Sequence, residues 1–290
     1  MSSTRPDSAR LAVGIVGTGR AGAVLGAALA RAGHDVVAAS AVSGASRDRA
    51  AALLPGVPLV EPAEVLARAG LVLLAVPDDV LPGLVEGLAA TGAVRRGQLL
   101  AHPSGRHGLA VLEPATRLGA LPLALHPALP LGGTAVDLAR LSGASFGVTS
   151  PDVLRPVAEA LVLEMGGEPV WVPEHLRPLW HAALAHGANH LVTLVATAAD
   201  LLRAAGAQDP AAVLGPLLGA ALDGALRSGD GALTGPVSRG DAGTVAAHLA
   251  ALPAEVRPSY LALARLTADR ALAAGRLAPA VAEGLLEVLA

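Results

Sequence analysis

Three glycines at one, three and six spacing interrupt an apolar run near the start of the chain, LAVGIVGTGRAG, Leu11 to Gly22. The run Leu11 to Val16 has the unbroken apolar character of a buried parallel strand. The Ala-rich stretch Ala21 to Ala32 reads as a helix, and His34 to Ser40 as a second strand. In such a unit Gly17 permits the tight turn, Gly19 lets a backbone approach a pyrophosphate, and Gly22 packs the helix closely on its strand. Gly17, Thr18, Gly19, Arg20, Ala21 and Gly22 are therefore the expected dinucleotide cradle, with the phosphates on the helix N-terminus. The competing reading is a glycine-rich turn that merely permits close packing.

The second strand ends in Ala39, Ser40, Ala41 and lacks the acid that would accept from an unmodified ribose 2'-hydroxyl; Asp35 lies too early. Hydroxyls and guanidinium groups follow instead, at Ser43, Ser46, Arg47 and Arg49. Ser40, Ser43 and above all Arg47 are expected to hold a 2'-phosphate, which makes the expected cofactor NADP(H).

Further strands are expected at 57–60, 71–76, 98–101, 120–125, 144–149 and 168–172. Ligands in open parallel sheets gather at the carboxyl ends of strands, which places Val76 and Pro77 beside the cofactor. Two more strand ends, in AHPSGRHG and LALHPALP, bring His102, Ser104, Gly105 and His126 to the same edge. From about His175 the pattern changes to helix after helix: 175–205, 210–227, 242–251, 255–274 and 279–289. The expected fold is α/β: an N-terminal Rossmann-type doubly wound parallel sheet, 11–172, and a C-terminal all-helical domain, 173–290, with substrate in the cleft between them.

Composition narrows the function classes. The chain has 290 residues, a net charge of -3, 1% aromatics and no cysteine. Without a basic cluster or stacking aromatics it lacks the means to hold nucleic acid. Thiolate chemistry and disulfides are excluded. All 21 basic residues are arginine, so no lysine can form a Schiff base or act as an ammonium acid. The polar start, MSSTRPDSAR, reads as a frayed tail with no signal-peptide core. The most apolar helical stretch, 176–205, is interrupted by His181, His186, Asn189, His190 and Asp200, which argues against a membrane span. The expectation is a soluble, cytoplasmic protein. His186 and His190 have metal-ligand spacing but no nearby carboxylate or thiolate, so no metal site is expected.

The GTGRAG turn, AVPDD, HPSG, LHPALP, WHAALAHGANHLVTL and TGPVSRGDAGTVAAHLAAL together resemble the Rossmann-like oxidoreductases that carry the domain of unknown function 2520. The resemblance spans Leu11 to about Arg270. It implies a 6-phosphogluconate-dehydrogenase-like arrangement related to pyrroline-5-carboxylate, ketopantoate and F420-dependent NADP reductases. It also implies a homodimer formed through the helical domain.

Related hydroxyacid dehydrogenases carry a lysine four residues before an asparagine on the first long helix of the second domain. If Asn189 is that asparagine, the lysine position is Ala185. At about 100° per residue Asn189 lies about 80° from His181, and the WHAA segment favours the face carrying this pair. The resulting expectation is reduction of a small carboxylate-bearing carbonyl, such as a 2-oxo acid of the ketopantoate type, or of an imine. His126 or His181 is the proton donor, Ser104 and Asn189 orient substrate, and Thr234 and Arg239 are further substrate candidates. Asp241 is expected to cap the helix that begins at Ala242, with an Arg239 to Asp241 pair as the structural alternative for that arginine. Two other readings remain open from the sequence: a non-catalytic NADP-binding sensor or scaffold, and hydride exchange with a deazaflavin.

Overall fold

A computed structural model describes residues 10–290, so the polar N-terminal stretch lies almost wholly outside the described residues. The chain forms two compact units, one up to Gly187 and one from Ala188 to Ala290.

The first unit is built on a seven-stranded sheet of order β2-β1-β3-β4-β5-β6-β7. Its strands are β1 (Ala12–Val16), β2 (Asp35–Ser40), β3 (Leu71–Leu74), β4 (Leu99–His102), β5 (Leu121–Pro127), β6 (Ser145–Thr149) and β7 (Glu168–Trp171). Every pairing is parallel except β5 with β6, so the expected all-parallel sheet gains two reversed strands at one edge. The connection from His126 to Ser145 is short in regular structure, holding only α6 (Ala135–Arg140), and it returns the chain without a full crossover.

The expected strand at 57–60 is reduced to one bridge, Ala39 to Leu59. Pro58, which has no N–H to give, limits that ladder to Ala39 N–H donating to Pro58 O and Val60 N–H donating to Ala39 O.

Helices cover both faces: α1 (Arg20–Arg31), α2 (Gly44–Leu53), α3 (Pro62–Arg68), α4 (Leu81–Ala90), α5 (Glu113–Thr116), α6 and α7 (Arg155–Glu164). One core layer joins Ile15, Leu25, Leu71, Leu123, Phe146 and Leu161; the other joins Val65, Leu66, Val72, Val85 and Leu100. Strands β1 and β3 are buried along almost their whole length, as a sheet covered on both faces requires.

The first unit extends past the expected boundary at 172/173 because α8 (Arg177–Leu184) belongs to it. Arg177 is the reason. Its side chain is fully buried and donates from Nε to His107 O (2.5 Å), from Nη2 to Ser104 O (2.5 Å), and from Nη1 to Thr149 Oγ1 (3.0 Å) and Gly147 O (3.3 Å). A guanidinium with four neutral acceptors ties this helix to the loop after β4 and to β6.

The second unit comprises α9 (His190–Ala204), α10 (Pro210–Ser228), α11 (Pro236–Arg239), α12 (Ala242–Ala251), α13 (Arg257–Ala273) and α14 (Pro279–Leu289). Its core, Val245, Ala264, Ala268, Leu277, Leu285 and Leu289, lies among α12, α13 and α14. Asp241 caps α12 as expected, accepting from Thr244 N–H at 3.0 Å. Helix α9 has no buried residue and α10 only Pro210 and Leu214.

Candidate active site

Glycines of the turn between β1 and α1 serve different needs. Gly17 has φ +93°, and a Cβ there would meet Ala75 O at 2.7 Å. At Gly22 a Cβ would meet Gly17 O at 2.0 Å, so this glycine lets α1 press onto the turn. Gly19 is unlike both: its backbone is extended (φ -66°, ψ -167°), and the nearest atom to an added Cβ is Ala75 O at 4.0 Å. Nothing among the described residues requires glycine at 19. The bare backbone leaves room for a ligand against the N-terminus of a twelve-residue helix with no side-chain cap and no acid in its first turn. The turn lies where the strand order reverses between β1 and β3, the switch point at which open α/β sheets bind ligands. Val76 and Pro77, which follow β3, border it: a Cβ on Gly17 would lie 3.1 Å from Val76 Cγ1.

The hydroxyls expected to touch cofactor are committed elsewhere. Ser40 Oγ accepts from Gly17 N–H (3.0 Å), and buried Thr18 donates from Oγ1 to Ser40 O (3.2 Å) and Ser46 O (3.0 Å). Ser43 caps α2 in a reciprocal box with Ser46. These side chains brace the turn against β2 and α2. Arg47 is exposed on α2, whereas Arg49, two residues on and on the opposite helix face, is half-buried. A Cβ on Gly133 would lie 2.8 Å from Arg49 Cδ and Nε and 3.1 Å from Arg20 Cα. Arg49 therefore reaches toward the first residue of α1, which the sequence could have revealed only with the register of α2 known.

At the carboxyl ends of β4 and β5, a cluster of histidines gathers around Gly105. A Cβ on Gly105 would lie 2.6 Å from His181 Cδ2 and 2.8 Å from His126 Nε2. The rings of His126 and His181 meet edge to face, centroids 5.8 Å apart at 86°. Trp180 Nε1–H donates to His126 Nδ1 at 3.2 Å. Burial, then the positive charge of Arg177, then His181 lower the His126 pKa to about 4. At neutral pH it is uncharged, so a proton-donor role for His126 would have to run from a neutral ring.

His102 is structural. Fully buried, it donates from Nε2 to Gly108 O (2.8 Å) and accepts Ser104 N–H at Nδ1 (3.3 Å), and burial lowers its pKa to about 4. Ser104 is likewise occupied, its Oγ accepting from His107 N–H at 3.0 Å while its carbonyl takes Arg177. His107 donates from Nε2 to Asp78 O at 2.9 Å, which fastens this loop to the end of β3.

The expected placement of Asn189 beside His181 assumes a regular helix. Residues Ala185–Asn189 form a π-helical turn, whose extra residue rotates everything after it and invalidates a wheel drawn at constant angle. Asn189 belongs to the second unit, as do Thr234 and Arg239. Thr234 lines a cavity of about 590 Å³ in that unit together with Thr193, Leu201, His248, Tyr260 and Leu263. His248 Nδ1 and Tyr260 OH are 2.8 Å apart there. Arg239 ends α11, which begins after Gly235 (φ +95°), and no Arg239 to Asp241 ion pair forms among the described residues. No helix of the described residues is long and apolar enough to cross a membrane.

Comparison with known proteins matches this description. Residues 2–127 match the Rossmann-like domain family, and residues 144–267 match the domain of unknown function DUF2520. No curated protein sequence matches the chain. Among solved structures, a candidate NADP oxidoreductase from Bacteroides fragilis is similar with TM-score 0.74 at 19% identity, over 90% of this chain and 98% of that one. A Thermotoga maritima protein is similar with TM-score 0.65 at 18% identity, over 90% and 98%. An imine reductase from Pseudomonas sp. gives TM-score 0.64 at 18% identity, over 92% and 96%. At these identities the likeness is one of fold. The two family matches, on either side of the β5 to β6 reversal, show that the chain belongs to the Rossmann-like proteins that carry the domain of unknown function DUF2520.

Proposed function

We propose that the protein is an NADP(H)-dependent oxidoreductase that reduces a small carboxylate-bearing carbonyl or imine. The observation that carries this reading is Gly19, a glycine whose own fold does not need it, standing at an open helix N-terminus on the sheet's switch point. Backbone N–H groups at 19–22 would hold the pyrophosphate, and Arg49, or Arg47 if its exposed side chain folds back, would meet a 2'-phosphate. A nicotinamide bound there supplies hydride. The protein's part is to hold the substrate at the carboxyl ends of β4 and β5, where His126 and His181 face one another across Gly105. The solved neighbours described as an NADP oxidoreductase and an imine reductase support the same class. Spectrophotometric loss of NADPH against a panel of 2-oxo acids and cyclic imines tests it. Turnover with one class supports the reading; tight NADPH binding with no turnover on either class, or turnover only with a deazaflavin, would replace it.

We also propose a homodimer formed through the second unit. Val192 on α9 and Leu217, Leu222 and Leu226 on α10 are each more than half exposed, more apolar surface than one isolated helix pair ordinarily leaves uncovered.

A further inference from the structure

Resting on the reductase reading, we propose that Trp180 is a positioning residue that fixes His126 as its Nε2–H tautomer, so that His126 serves substrate as a neutral hydrogen-bond donor and not as the source of the proton. An indole N–H can only donate, so its partner at 3.2 Å, His126 Nδ1, carries a lone pair. The ring's one proton then sits on Nε2. A second proton on Nδ1 would point straight at the indole N–H.

Three features build this contact. In the antiparallel pairing of β5 with β6, His126 stands opposite Gly147. A Cβ on Gly147 would lie 2.6 Å from Trp180 Nε1 and 2.7 Å from Cε2, so the missing side chain is the slot in which the indole lies. One turn earlier on α8, buried Arg177 donates to Gly147 O and Ser104 O and holds the helix at the depth the contact needs. The charged and titratable groups around His126 are Arg177 and His181, which oppose its protonation, and Asp78, the weakest of the three, which favours it.

Nε2 is left for a ligand. It has no hydrogen-bond partner among the described residues, yet the only buried side-chain polar atom there without a partner is Ser150 Oγ, so Nε2 must reach open space. It does so beside Gly105, where a side chain would fill the position between His126 and His181. During reduction a C–H bond forms from the nicotinamide hydride and the C=O or C=N π pair moves onto the heteroatom. The Nε2–H bond steadies that developing charge. The proton that completes the product comes from water, because a neutral imidazole does not surrender its last proton near pH 7.

Nitrogen-15 NMR of histidine-labelled protein, with His126 identified by its loss in His126→Gln, reads the tautomer directly and without substrate. The expected spectrum at neutral pH shows a single form protonated at Nε2 and bare at Nδ1. In Trp180→Phe and, separately, Gly147→Ala, the Nδ1 resonance moves toward protonation and the titration climbs toward the ordinary histidine range. Turnover in Trp180→Phe falls about tenfold or more in kcat with the KM for NADPH unchanged. An Nδ1–H in the unaltered protein, a titration unmoved in both variants, or full kcat in Trp180→Phe would overturn the proposal. Should Trp180→Phe fail to fold, Gly147→Ala carries both readouts. Because the spectrum needs neither cofactor nor substrate, its outcome is separate from whether the protein reduces anything.

Discussion

Replacing Gly19 by serine separates what the fold needs from what a ligand needs. At Gly19 the backbone is extended and an added Cβ meets nothing nearer than 4.0 Å, so serine fits without strain. Position 19 is the N-cap of α1, where serine is at least as favourable as glycine, so stability should change by less than about 0.5 kcal/mol or rise slightly. The new Cβ and hydroxyl nevertheless stand where a pyrophosphate would approach, and the hydroxyl would satisfy the N–H groups the phosphate uses. Losing one charge-assisted hydrogen bond costs about 1.5–3 kcal/mol, roughly a 10- to 150-fold weaker Kd for the dinucleotide. Thermal denaturation and calorimetric titration of the same preparation give both numbers. Gly22→Ala is the contrasting control: a Cβ 2.0 Å from Gly17 O forces α1 off its strand, costing about 1–3 kcal/mol of overpacking as well as binding. A Gly19→Ser protein that binds dinucleotide as well as the parent would refute the assignment of the turn.

Arg177→Met should destabilise the protein by about 3 kcal/mol or more, measured by urea unfolding, because it strands Ser104 O, His107 O, Gly147 O and Thr149 Oγ1; an unchanged midpoint would show that these acceptors find water instead. The acid limb of stability should reflect His102. Its folded pKa is lowered to about 4 from 6.5, so at pH above 6.5 neither state is charged and it contributes nothing. As pH falls from 6.5 to about 4, only the unfolded chain takes up the proton, and stability drops by up to about 3 kcal/mol before levelling off. His102→Gln should flatten that limb; an equally steep limb would assign it to other groups. Asp137 adds a later loss: backbone N–H groups, that of Thr134 first, hold its pKa below the ordinary carboxylate value, so its stabilisation is present above that range and disappears as pH falls through the lowered one. Light scattering should give twice the 28.6 kDa chain mass, falling toward one chain with Leu226→Arg on α10; a monomeric parent would remove the dimer.

Strong local signals made much of the first unit legible. Continuous apolar runs marked β1, β3 and β5, Pro and Gly bounded the helices, and α12 and α14 begin and end where composition places them. What sequence left hidden depends on tertiary register. Nothing in the residues of β6 announces that it runs against β5, and the π-helical turn at 185–189 has no signature in a stretch whose Ala-rich composition suits an ordinary helix. The site was half legible for the same reason. Strand ends pointed to His126, and a family-like segment pointed to His181; the structure brings these two together. Trp180, Gly147 and Arg177 escaped notice because their roles arise only when α8 packs against Gly147 in the middle of β6. Ser40, Thr18, Ser43 and Ser104 looked like ligand contacts because hydroxyls at strand ends commonly are, but here the turn and loop consume them.

Calorimetric titration of the purified protein with NADPH and, in parallel, NADH asks whether the glycine turn holds a dinucleotide at all. Saturable one-site binding is expected, with NADPH preferred and the preference reduced by Arg49→Ala more than by Arg47→Ala. Failure to bind either dinucleotide would remove both the cofactor and the reductase reading built on it.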